Sequence, residues 1–296
     1  MISVVIATYR RDKTLIRALD SLLNQTYRDF EVVVVDDNAE ESWNKKVETI
    51  VNSFSDKLSI NYLRNKTNIG SAETRNAGIN ASKGKYITFL DDDDLYLPNK
   101  LKTQFELMEE ENADYSLMNL SLYNDNEILS EIRKRDYLLT DESKNLLICH
   151  LKYHMTGTDS MMFKRDYLLS FGGFESIDVG DEFYLMMKAI EHNGKFVYCN
   201  SCDVKAYVHT GEDGGLSSGT KKIEGENRLY RFKKAYFNSL RCKDRRYIRM
   251  RHFAVLAYAY KRCGKYLKFF AFGAASFLVS PLHTILLFCN LKKSHW

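Results

Sequence analysis

The chain has 296 residues, of which 45% are hydrophobic and 28% are charged, so it can bury an ordinary globular core. It contains only two prolines and no repeat or low-complexity tract, which argues against a fibrous protein or long disordered linkers. The six cysteines are scattered, and the lone CxxC at Cys199 and Cys202 lacks the second pair of a zinc ribbon. We therefore expect thiols in a reducing compartment. The opening MISVVIATYRRD is too short an apolar run for a signal peptide.

The first hundred residues alternate strand and helix signals. Runs rich in apolar and β-branched residues, ISVVIA, FEVVVVDDN, SINYLRN and KYITFL, predict four strands. Apolar residues recur at helical spacing between the first two, as at Leu15, Leu19 and Leu22, and SAETRNAGINAS predicts a helix that Gly84 ends. Strands alternating with helices imply right-handed βαβ units. We therefore predict an α/β fold with a mostly parallel, Rossmann-like sheet flanked by helices.

The pattern changes after about residue 100. DYSLMNLSLYND predicts a strand pair, and GTDSMMFKRDYLLSFGGF predicts a strand and then a helix. DEFYLMMKAIEHNG is typical of an amphipathic helix, and KFVYCN and KAYVHT are typical of short strands. The glycine-rich TGEDGGLSSGTKK indicates a mobile loop. We assign one domain to residues 1–220 and a basic helical region with an apolar tail to residues 221–296.

Polar side chains follow three of the predicted strands. Thr8 and Tyr9 come after the first strand, Asp36 and Asp37 after the second, and the aspartates at 91–94 after the fourth. In sheets of this type, ligands bind at the carboxyl ends of the strands, so these residues together describe a site. Each of them alone could be a solvated loop.

The segment YITFLDDDDLYLP gathers four like charges, whose repulsion is costly unless a cation offsets it. Carboxylates are hard oxygen ligands, which Mg²⁺ or Mn²⁺ prefers. In an extended chain, alternation would direct Asp91 and Asp93 to the same side. One alternative is a calcium loop, but the segment lacks the required mid-loop glycine. Another is an acidic helix N-terminus, with Asp94 capping a helix that begins near Leu97.

Two common phosphate-binding motifs are missing from the sequence. No GxGxxG opens the first helix, and no GxxxxGK[ST] is present. We therefore expect a metal and basic side chains to hold any phosphates.

Four ordered segments, VVIATYRR, SLLNQTYRDFEVVVVDDN, NIGSAETRNAGINASKGKYITFLDDDD and LYLPNKL, together resemble the N-terminal half of the inverting glycosyltransferase family called family 2. The resemblance is dense over residues 1–105 and sparse up to about residue 210. It implies a GT-A fold with a nucleotide-sugar-binding half at 1–105 and an acceptor half at 106–220. It also implies a donor that most often carries a UDP-like diphosphate, and a role in building bacterial cell-surface polysaccharides.

The resemblance implies which residues bind the nucleotide sugar. Tyr9 would stack on the base, although it could be mere packing, and Asp37 would bind the polar edge of the base. Arg75 would help to position the donor, with an ordinary helix-surface charge as the alternative. The full set implied for the donor is Ala7, Tyr9, Asp37, Arg75, Asn76, Asp91 and Asp92.

A metal site is implied in the same way. Asp91 and Asp93 match the DxD of the family and would bind Mn²⁺ or Mg²⁺ on the diphosphate, and His209 would bind the metal or the diphosphate. The alternative for His209 is a packed or surface residue. In the loop that follows, Ser217, Ser218 and Lys221 could close over the phosphates, as a lid would.

An inverting transfer also needs a carboxylate that takes the proton of the acceptor hydroxyl. The family has an acidic pair, usually Glu-Asp, at the start of a helix, with the second member as base. Here the order is reversed to Asp181-Glu182. Position favours Glu182 and the shorter side chain favours Asp181, to which we give slight preference. The non-catalytic alternative is an acid pair stabilised by the helix dipole.

The net charge of +4 is unevenly distributed, because residues 221–268 hold sixteen Lys or Arg and three acidic residues. The next 23 residues, 269–291, contain no charged side chain, and Lys292 and Lys293 follow them. An apolar segment with basic flanks favours anchoring on an anionic cytoplasmic leaflet as an interfacial or re-entrant segment. A buried helix and a homodimer contact are the alternatives.

We therefore expect a metal-dependent inverting glycosyltransferase, peripheral on the cytoplasmic face of the membrane. Its acceptor would be a saccharide or a lipid-linked molecule, and it would not bind nucleic acid. A sugar-phosphate nucleotidyltransferase is one alternative, but it would need a glycine in ATYRRDKT. A non-catalytic anion-binding module is another, and it would bind oligonucleotides in a salt-sensitive manner, whether or not Mn²⁺ is present.

Overall fold

The computed structural model describes residues 1–139, 145–177, 180–208 and 219–290. The chain divides into two compact units, Met1–Leu139 with Met155–Val208, and Thr140–His154 with His209–Trp296. Along the described residues the elements are, in order, β1 (Ile2–Thr8), α1 (Lys13–Leu23), β2 (Phe30–Asp36), α2 (Glu41–Phe54), β3 (Ile60–Arg64), α3 (Ser71–Ala81), β4 (Tyr86–Phe89), β5 (Leu95–Tyr96), α4 (Lys100–Glu110), β6 (Tyr115–Met118), β7 (Leu120–Asn124), β8 (Leu129–Arg133), α5 (Leu146–Tyr153), β9 (Met161–Lys164), α6 (Arg165–Ser170), α7 (Asp181–Glu191), β10 (Phe196–Cys199), β11 (Val204–Val208), α8 (Gly219–Lys234), α9 (Cys242–Arg262), α10 (Tyr266–Val279) and α11 (Pro281–Asn290). Short 3-10 helices cover Asp136–Leu139, Thr158–Ser160 and Phe237–Ser239.

The main sheet of the first unit has the strand order β10-β6-β9-β4-β1-β2-β3. Neighbouring strands are parallel except where β9 pairs with β4 and with β6. The runs ISVVIAT and FEVVVVD form β1 and β2 and are buried almost throughout, as strands covered on both faces must be. The predicted α/β fold with a mostly parallel sheet is thereby confirmed.

Helix α3 packs very closely on β1 because Gly78 faces that strand. A Cβ atom on Gly78 would lie only 2.4 Å from Val5 Cγ1, so only glycine permits this approach. The close packing fixes the position of a helix that also carries Arg75 and Asn76.

A second sheet in the first unit has the order β5-β11-β7-β8. The predicted strand pair DYSLMNLSLYND forms β6 and β7, which lie in different sheets, so the predicted pairing is wrong. The chain changes sheets at Asn119, whose N–H donates to the Ser201 carbonyl (3.0 Å). Its Oδ1 accepts hydrogen bonds from the Arg135 N–H (3.0 Å) and the Tyr198 hydroxyl (2.6 Å), and these bonds hold the bend in place.

The described part of the second unit is helical, which confirms the predicted helical C-terminal region. Ile223, Leu256 and Ala259 form a small buried cluster, and the Ser276 hydroxyl donates to the Met250 carbonyl (3.0 Å). Elsewhere α10 and α11 expose large apolar side chains, and a groove of about 430 Å³ lined by aromatic and small residues lies on them.

The apolar segment predicted at 269–291 is broken into two helices over its described residues. α10 ends at Val279 and α11 begins at Pro281. Proline lacks an N–H and pushes the preceding residue out of the helical region, and Ser280 accordingly has ψ 91°. Among the described residues, no helix reaches the length and apolar character that crossing a bilayer requires.

Candidate active site

Asp36, the last residue of β2, holds the loop that follows the strand. Its carboxylate accepts hydrogen bonds from the Asn38 N–H (2.9 Å) and side chain (2.7 Å), the Asn44 side chain (2.9 Å) and the Tyr62 hydroxyl (2.7 Å). Burial, and after it the hydrogen bond to Asp36, raises the pKa of Tyr62. Asp36 is therefore a structural residue of this site.

Asp37 fixes the chain that enters α3. Its carboxylate accepts hydrogen bonds from the Asn65 side chain (2.9 Å), the Ile69 N–H (2.9 Å) and the Gly70 N–H (3.0 Å). The side chain predicted to bind the nucleotide base thus holds the loop that leads into α3.

Tyr9 follows β1 and has a ring that is accessible to a ligand. The residue is 44% exposed, and its N–H donates to the Asp92 carboxylate (3.3 Å). The Arg10 guanidinium lies 5.3 Å from the centre of the ring, and Ala7 is half-buried in β1. An exposed aromatic face at the carboxyl end of a parallel strand suits the stacking role that the family resemblance implies.

The four aspartates form a turn, closed by a hydrogen bond from the Asp94 N–H to the Asp91 carbonyl (3.1 Å). The Asp93 carboxylate forms an ion pair with Arg11 (3.1 Å). Our expectation that alternation along an extended chain directs Asp91 and Asp93 to the same side is therefore wrong, because the segment is not extended.

Asp94 does not cap a helix, so that alternative is also wrong. Helix α4 begins at Lys100 with Asn99 as its N-cap. Asp94 is buried, and its carboxylate accepts a hydrogen bond from the Tyr207 N–H of β11 (2.8 Å).

Asp159 completes the acidic cluster and was not predicted from the sequence. It lies in the 3-10 helix that precedes β9, and its carboxylate accepts a hydrogen bond from the Asp91 N–H (2.6 Å). Carboxylate oxygens of Asp91, Asp94 and Asp159 all lie within 4.8 Å of one another. Because β9 runs antiparallel to β4, its first residues lie beside the end of β4.

Burial and repulsion raise the pKa values of these carboxyl groups. Burial, and then Asp91, raises the pKa of Asp159 to about 7, and burial, and then Asp93, raises the pKa of Asp92 to about 7. The pKa of Asp94 is raised well above its usual range by burial and by Asp159. Such shifts arise where carboxyl groups are buried close to one another, and a bound cation would favour their charged forms. The oxygen donors of Asp91, Asp94 and Asp159 therefore fit Mg²⁺ or Mn²⁺.

Arg75 on α3 joins the acidic turn to α7. Its Nη2 lies 2.7 Å from Asp91 Oδ1, and its Nη1 lies 3.0 Å from Asp181 Oδ2. The side chain is only 12% exposed, so the alternative of an ordinary surface charge is wrong. The adjacent Asn76 forms two hydrogen bonds with the main chain of Phe174, from Nδ2 to the carbonyl (2.9 Å) and from the N–H to Oδ1 (2.8 Å).

The acidic pair at the start of α7 has two different environments. Asp181 faces Arg75, and burial raises the pKa of its carboxyl although Arg75 lowers it. Glu182 accepts hydrogen bonds from the Gly157 N–H (2.7 Å) and from the Thr158 hydroxyl (3.4 Å). Asp181 thus lies beside the acidic cluster, whereas Glu182 holds the loop before β9.

Four residues that the sequence analysis singled out follow β11. His209, Ser217 and Ser218 lie outside the described residues. Lys221 is exposed on α8.

Comparison with known proteins gives a family match and two informative relatives. Residues 3–170 match the model described as glycosyl transferase family 2. An uncharacterized glycosyltransferase, MJ1057 of Methanocaldococcus jannaschii, is 33% identical over 66% of this chain and 67% of its own length. The UDP-Glc:alpha-D-GlcNAc-diphosphoundecaprenol beta-1,3-glucosyltransferase WfgD of Escherichia coli is 31% identical over 44% of this chain. That match spans only 50% of WfgD.

Solved structures share the fold at low sequence identity. Staphylococcus aureus TarS residues 1–349, in complex with UDP-GlcNAc, has a TM-score of 0.60 at 17% identity, covering 90% of this chain and 89% of that one. The mannosyltransferase PcManGT of Pyrobaculum calidifontis, in complex with GDP-Man and Mn²⁺, has a TM-score of 0.58 at 19% identity. The match covers 98% of this chain and 78% of that one.

Proposed function

The chain belongs to glycosyl transferase family 2, and on that premise we propose that it transfers a sugar from a UDP-linked donor to a saccharide or lipid-linked acceptor with inversion. One observation carries this proposal. The buried guanidinium of Arg75 pairs with Asp91 on the donor side and with Asp181 on the acceptor side, and it thereby holds both carboxylates in one site.

In this proposal Asp181 is the general base. An inverting transfer requires a carboxylate that accepts the proton of the acceptor hydroxyl while its oxygen attacks the anomeric carbon. Asp181 suits this role because it is largely buried beside the acidic cluster, and its raised pKa makes it a stronger base than an exposed aspartate. Glu182 is the weaker candidate because its carboxylate is used by the Gly157 N–H and the Thr158 hydroxyl.

The acidic cluster binds the donor together with a divalent cation. Asp91, Asp94 and Asp159 supply the oxygen ligands, and Asp93 of the DxD lies in the same turn. A bound Mn²⁺ or Mg²⁺ would offset the charge of the departing diphosphate. The Tyr9 ring stacks on the nucleotide base at the end of β1. The names of WfgD and of the PcManGT complex support a UDP-sugar donor and a manganese ion respectively.

The acceptor is a lipid-linked saccharide, and the second unit docks on an anionic membrane. WfgD, by its name, acts on a diphosphoundecaprenol-linked sugar. Asp244 is the last acidic residue of the sequence, whereas Lys and Arg continue to Lys293. Exposed apolar side chains such as Leu267 and Leu278 lie within this stretch of the sequence, and a combination of basic and apolar side chains binds to anionic lipid interfaces.

A donor screen tests the proposed reaction. Release of the nucleoside diphosphate is measured for UDP-sugars with and without Mn²⁺, with a diphosphate-linked saccharide as acceptor. Wild type should require the metal, and Asp181→Asn should lower kcat by about 10²- to 10⁴-fold, as loss of a general base does. Asp166→Asn is the matched control, because Asp166 is fully exposed on α6. Full activity of Asp181→Asn, or no release from any donor, would refute the proposal.

A further inference from the structure

Arg75 makes two ion pairs that join residues far apart in the sequence. Nη2 pairs with Asp91 at the end of β4, and Nη1 pairs with Asp181 at the start of α7. The guanidinium is planar and rigid, so one side chain that pairs with both carboxylates also fixes the distance between them. Lysine could not do this, because its single nitrogen sits on a flexible stem.

The neighbouring Asn76 fixes the segment that leads to Asp181. Its side-chain amide forms hydrogen bonds with both the N–H and the carbonyl of Phe174. Gly173 makes this contact possible, because a Cβ at that position would lie 2.5 Å from Asn76 Oδ1, and its φ is +65°. The Phe174 ring also lies 5.4 Å from the Arg75 guanidinium carbon. Two successive residues of α3 therefore hold the same stretch of chain.

We propose that Arg75 is a positioning residue for the base, not a ligand of the donor diphosphate, and that Asn76 supports it by fixing Phe174. Through this arrangement Arg75 sets where Asp181 stands relative to the donor-side Asp91. The inference rests on the proposed function, since it assumes that Asp181 is the base.

Burial and pairing argue against a direct role of Arg75 in donor binding. Its side chain is 12% exposed, and both terminal nitrogens already pair with carboxylates at 2.7 and 3.0 Å. A diphosphate would have to break one of these buried pairs, and leaving a buried charge without its partner is costly. Tyr9 and Arg11, which are more exposed, border the side of the acidic turn that a ligand can reach.

The test compares Arg75→Lys and Arg75→Gln with wild type in the full-length chain. Binding of UDP with Mn²⁺ is measured by calorimetry, and kcat and the donor KM are measured with the substrates that wild type uses. The UDP affinity and donor KM should stay within about twofold of wild type. In contrast, kcat should fall by about 10²-fold, the usual effect of misplacing a reacting group by 1 Å.

The pH profile of kcat provides a readout that general destabilisation would not change. Arg75 lowers the pKa of Asp181, whereas Glu182 and Asp91 raise it. In Arg75→Gln the acid limb of the profile should therefore move to higher pH, and in Arg75→Lys it should move less. Arg28→Lys is the matched control with no expected change, because Arg28 is exposed and donates to the Leu23 carbonyl.

Two results would overturn the inference. UDP affinity that falls at least as much as kcat would make Arg75 a donor ligand, and unchanged kcat in both variants would remove its role. If Arg75→Gln does not fold, as judged by circular dichroism, Arg75→Lys decides alone. A wild type that binds no UDP and releases none refutes the proposed function instead, so the two failures are distinguishable.

Discussion

At the scale of single residues, the adjacent carboxyl groups of Asp181 and Glu182 have different environments because they face different partners. Asp181 lies against Arg75 near the acidic cluster, and Glu182, one residue later, accepts a main-chain hydrogen bond from Gly157. Burial raises the pKa of Asp181. The order of Asp181 and Glu182 in the sequence does not reveal this difference.

The raised pKa of Asp181 predicts how the reaction depends on pH. If Asp181 is the base, as proposed, it works only when it is deprotonated, so kcat should fall as the pH drops through the pKa of Asp181. Because this pKa lies above that of an ordinary aspartate, the loss should begin at higher pH than for an exposed carboxyl group. A pH profile of kcat at saturating donor and metal measures the pH at which this loss begins. A rate that stays flat down to the usual aspartate range would contradict the assignment.

Glu182 should matter for stability more than for chemistry. Glu182→Gln replaces a charged acceptor with a neutral one at the Gly157 N–H, so we expect a loss of about 1 kcal/mol in the free energy of unfolding. Donor binding should be unchanged and kcat should remain within about tenfold of wild type, in contrast to Asp181→Asn. Urea unfolding and steady-state kinetics measure both quantities. Equal losses of kcat in the two variants would mean that the base has not been identified.

The sequence predicted a site at the run of four aspartates and at the acidic pair on α7, but it indicated neither the turn at 91–94 nor Asp159. The first two are runs of like charge, and such runs are costly without a function. Asp159 is a single acid in GTDSMMF. Its significance depends on β9 running antiparallel to β4, which no local pattern indicates. Likewise, the sequence indicated Arg75 and Asn76, but not their partners about a hundred residues away.

At the scale of elements, the packing of α3 on β1 is tighter than its sequence suggests. Gly78 lies in the middle of a helix, where glycine is normally unfavourable. Its missing side chain is what allows contact with Val5. The same helix presents Arg75 and Asn76, so the site depends on how closely this element packs.

The same substitution in two helices should therefore have opposite effects. Gly78→Ala places a methyl group against Val5 and should destabilise the protein by about 1–3 kcal/mol, as overpacking does. Gly273→Ala in α10 meets no atom within 4 Å and should stabilise by up to about 1 kcal/mol through helix propensity. Thermal or urea unfolding of both variants measures the difference. A Gly78→Ala variant that is as stable as wild type would mean that α3 can move away from β1 without a loss of stability.

The strands β6 and β7 could be predicted from the sequence, but the sheet to which each belongs could not. Each strand of DYSLMNLSLYND was found at its predicted position, since the alternation of apolar and polar residues is a local signal. Their pairing was predicted wrongly because the bend at Asn119 is held by Arg135, Tyr198 and Ser201, which are distant in sequence.

At the scale of the whole molecule, the second unit combines a high positive charge with many exposed apolar side chains on its last two helices. Among the side chains that the structure describes, the exposed large apolar residues of α10 and α11 are Tyr266, Leu267, Phe270, Phe277, Leu278, Leu282, Ile285 and Leu286. Soluble monomers rarely leave so many large side chains on two neighbouring helices without a partner.

Binding to lipid vesicles should depend on these side chains. Replacing Leu267 and Leu278, which are 89% and 81% exposed, by serine should weaken sedimentation with phosphatidylglycerol vesicles at least tenfold. Ile128→Ser is the control, because Ile128 is an exposed apolar residue of the first unit. Wild-type protein should bind neutral phosphatidylcholine vesicles more weakly. Equal binding of the double variant would place the contact elsewhere.

The reversed direction of β9 also has a consequence for biosynthesis. A nascent chain released as far as residue 105 already carries the four aspartates, but it has neither Asp159 nor Asp181. The third carboxylate arrives only when β9 inserts between β4 and β6, two strands made earlier. If the acidic cluster binds a cation as proposed, the enzyme should acquire that affinity late in synthesis, after β9 has inserted into the sheet.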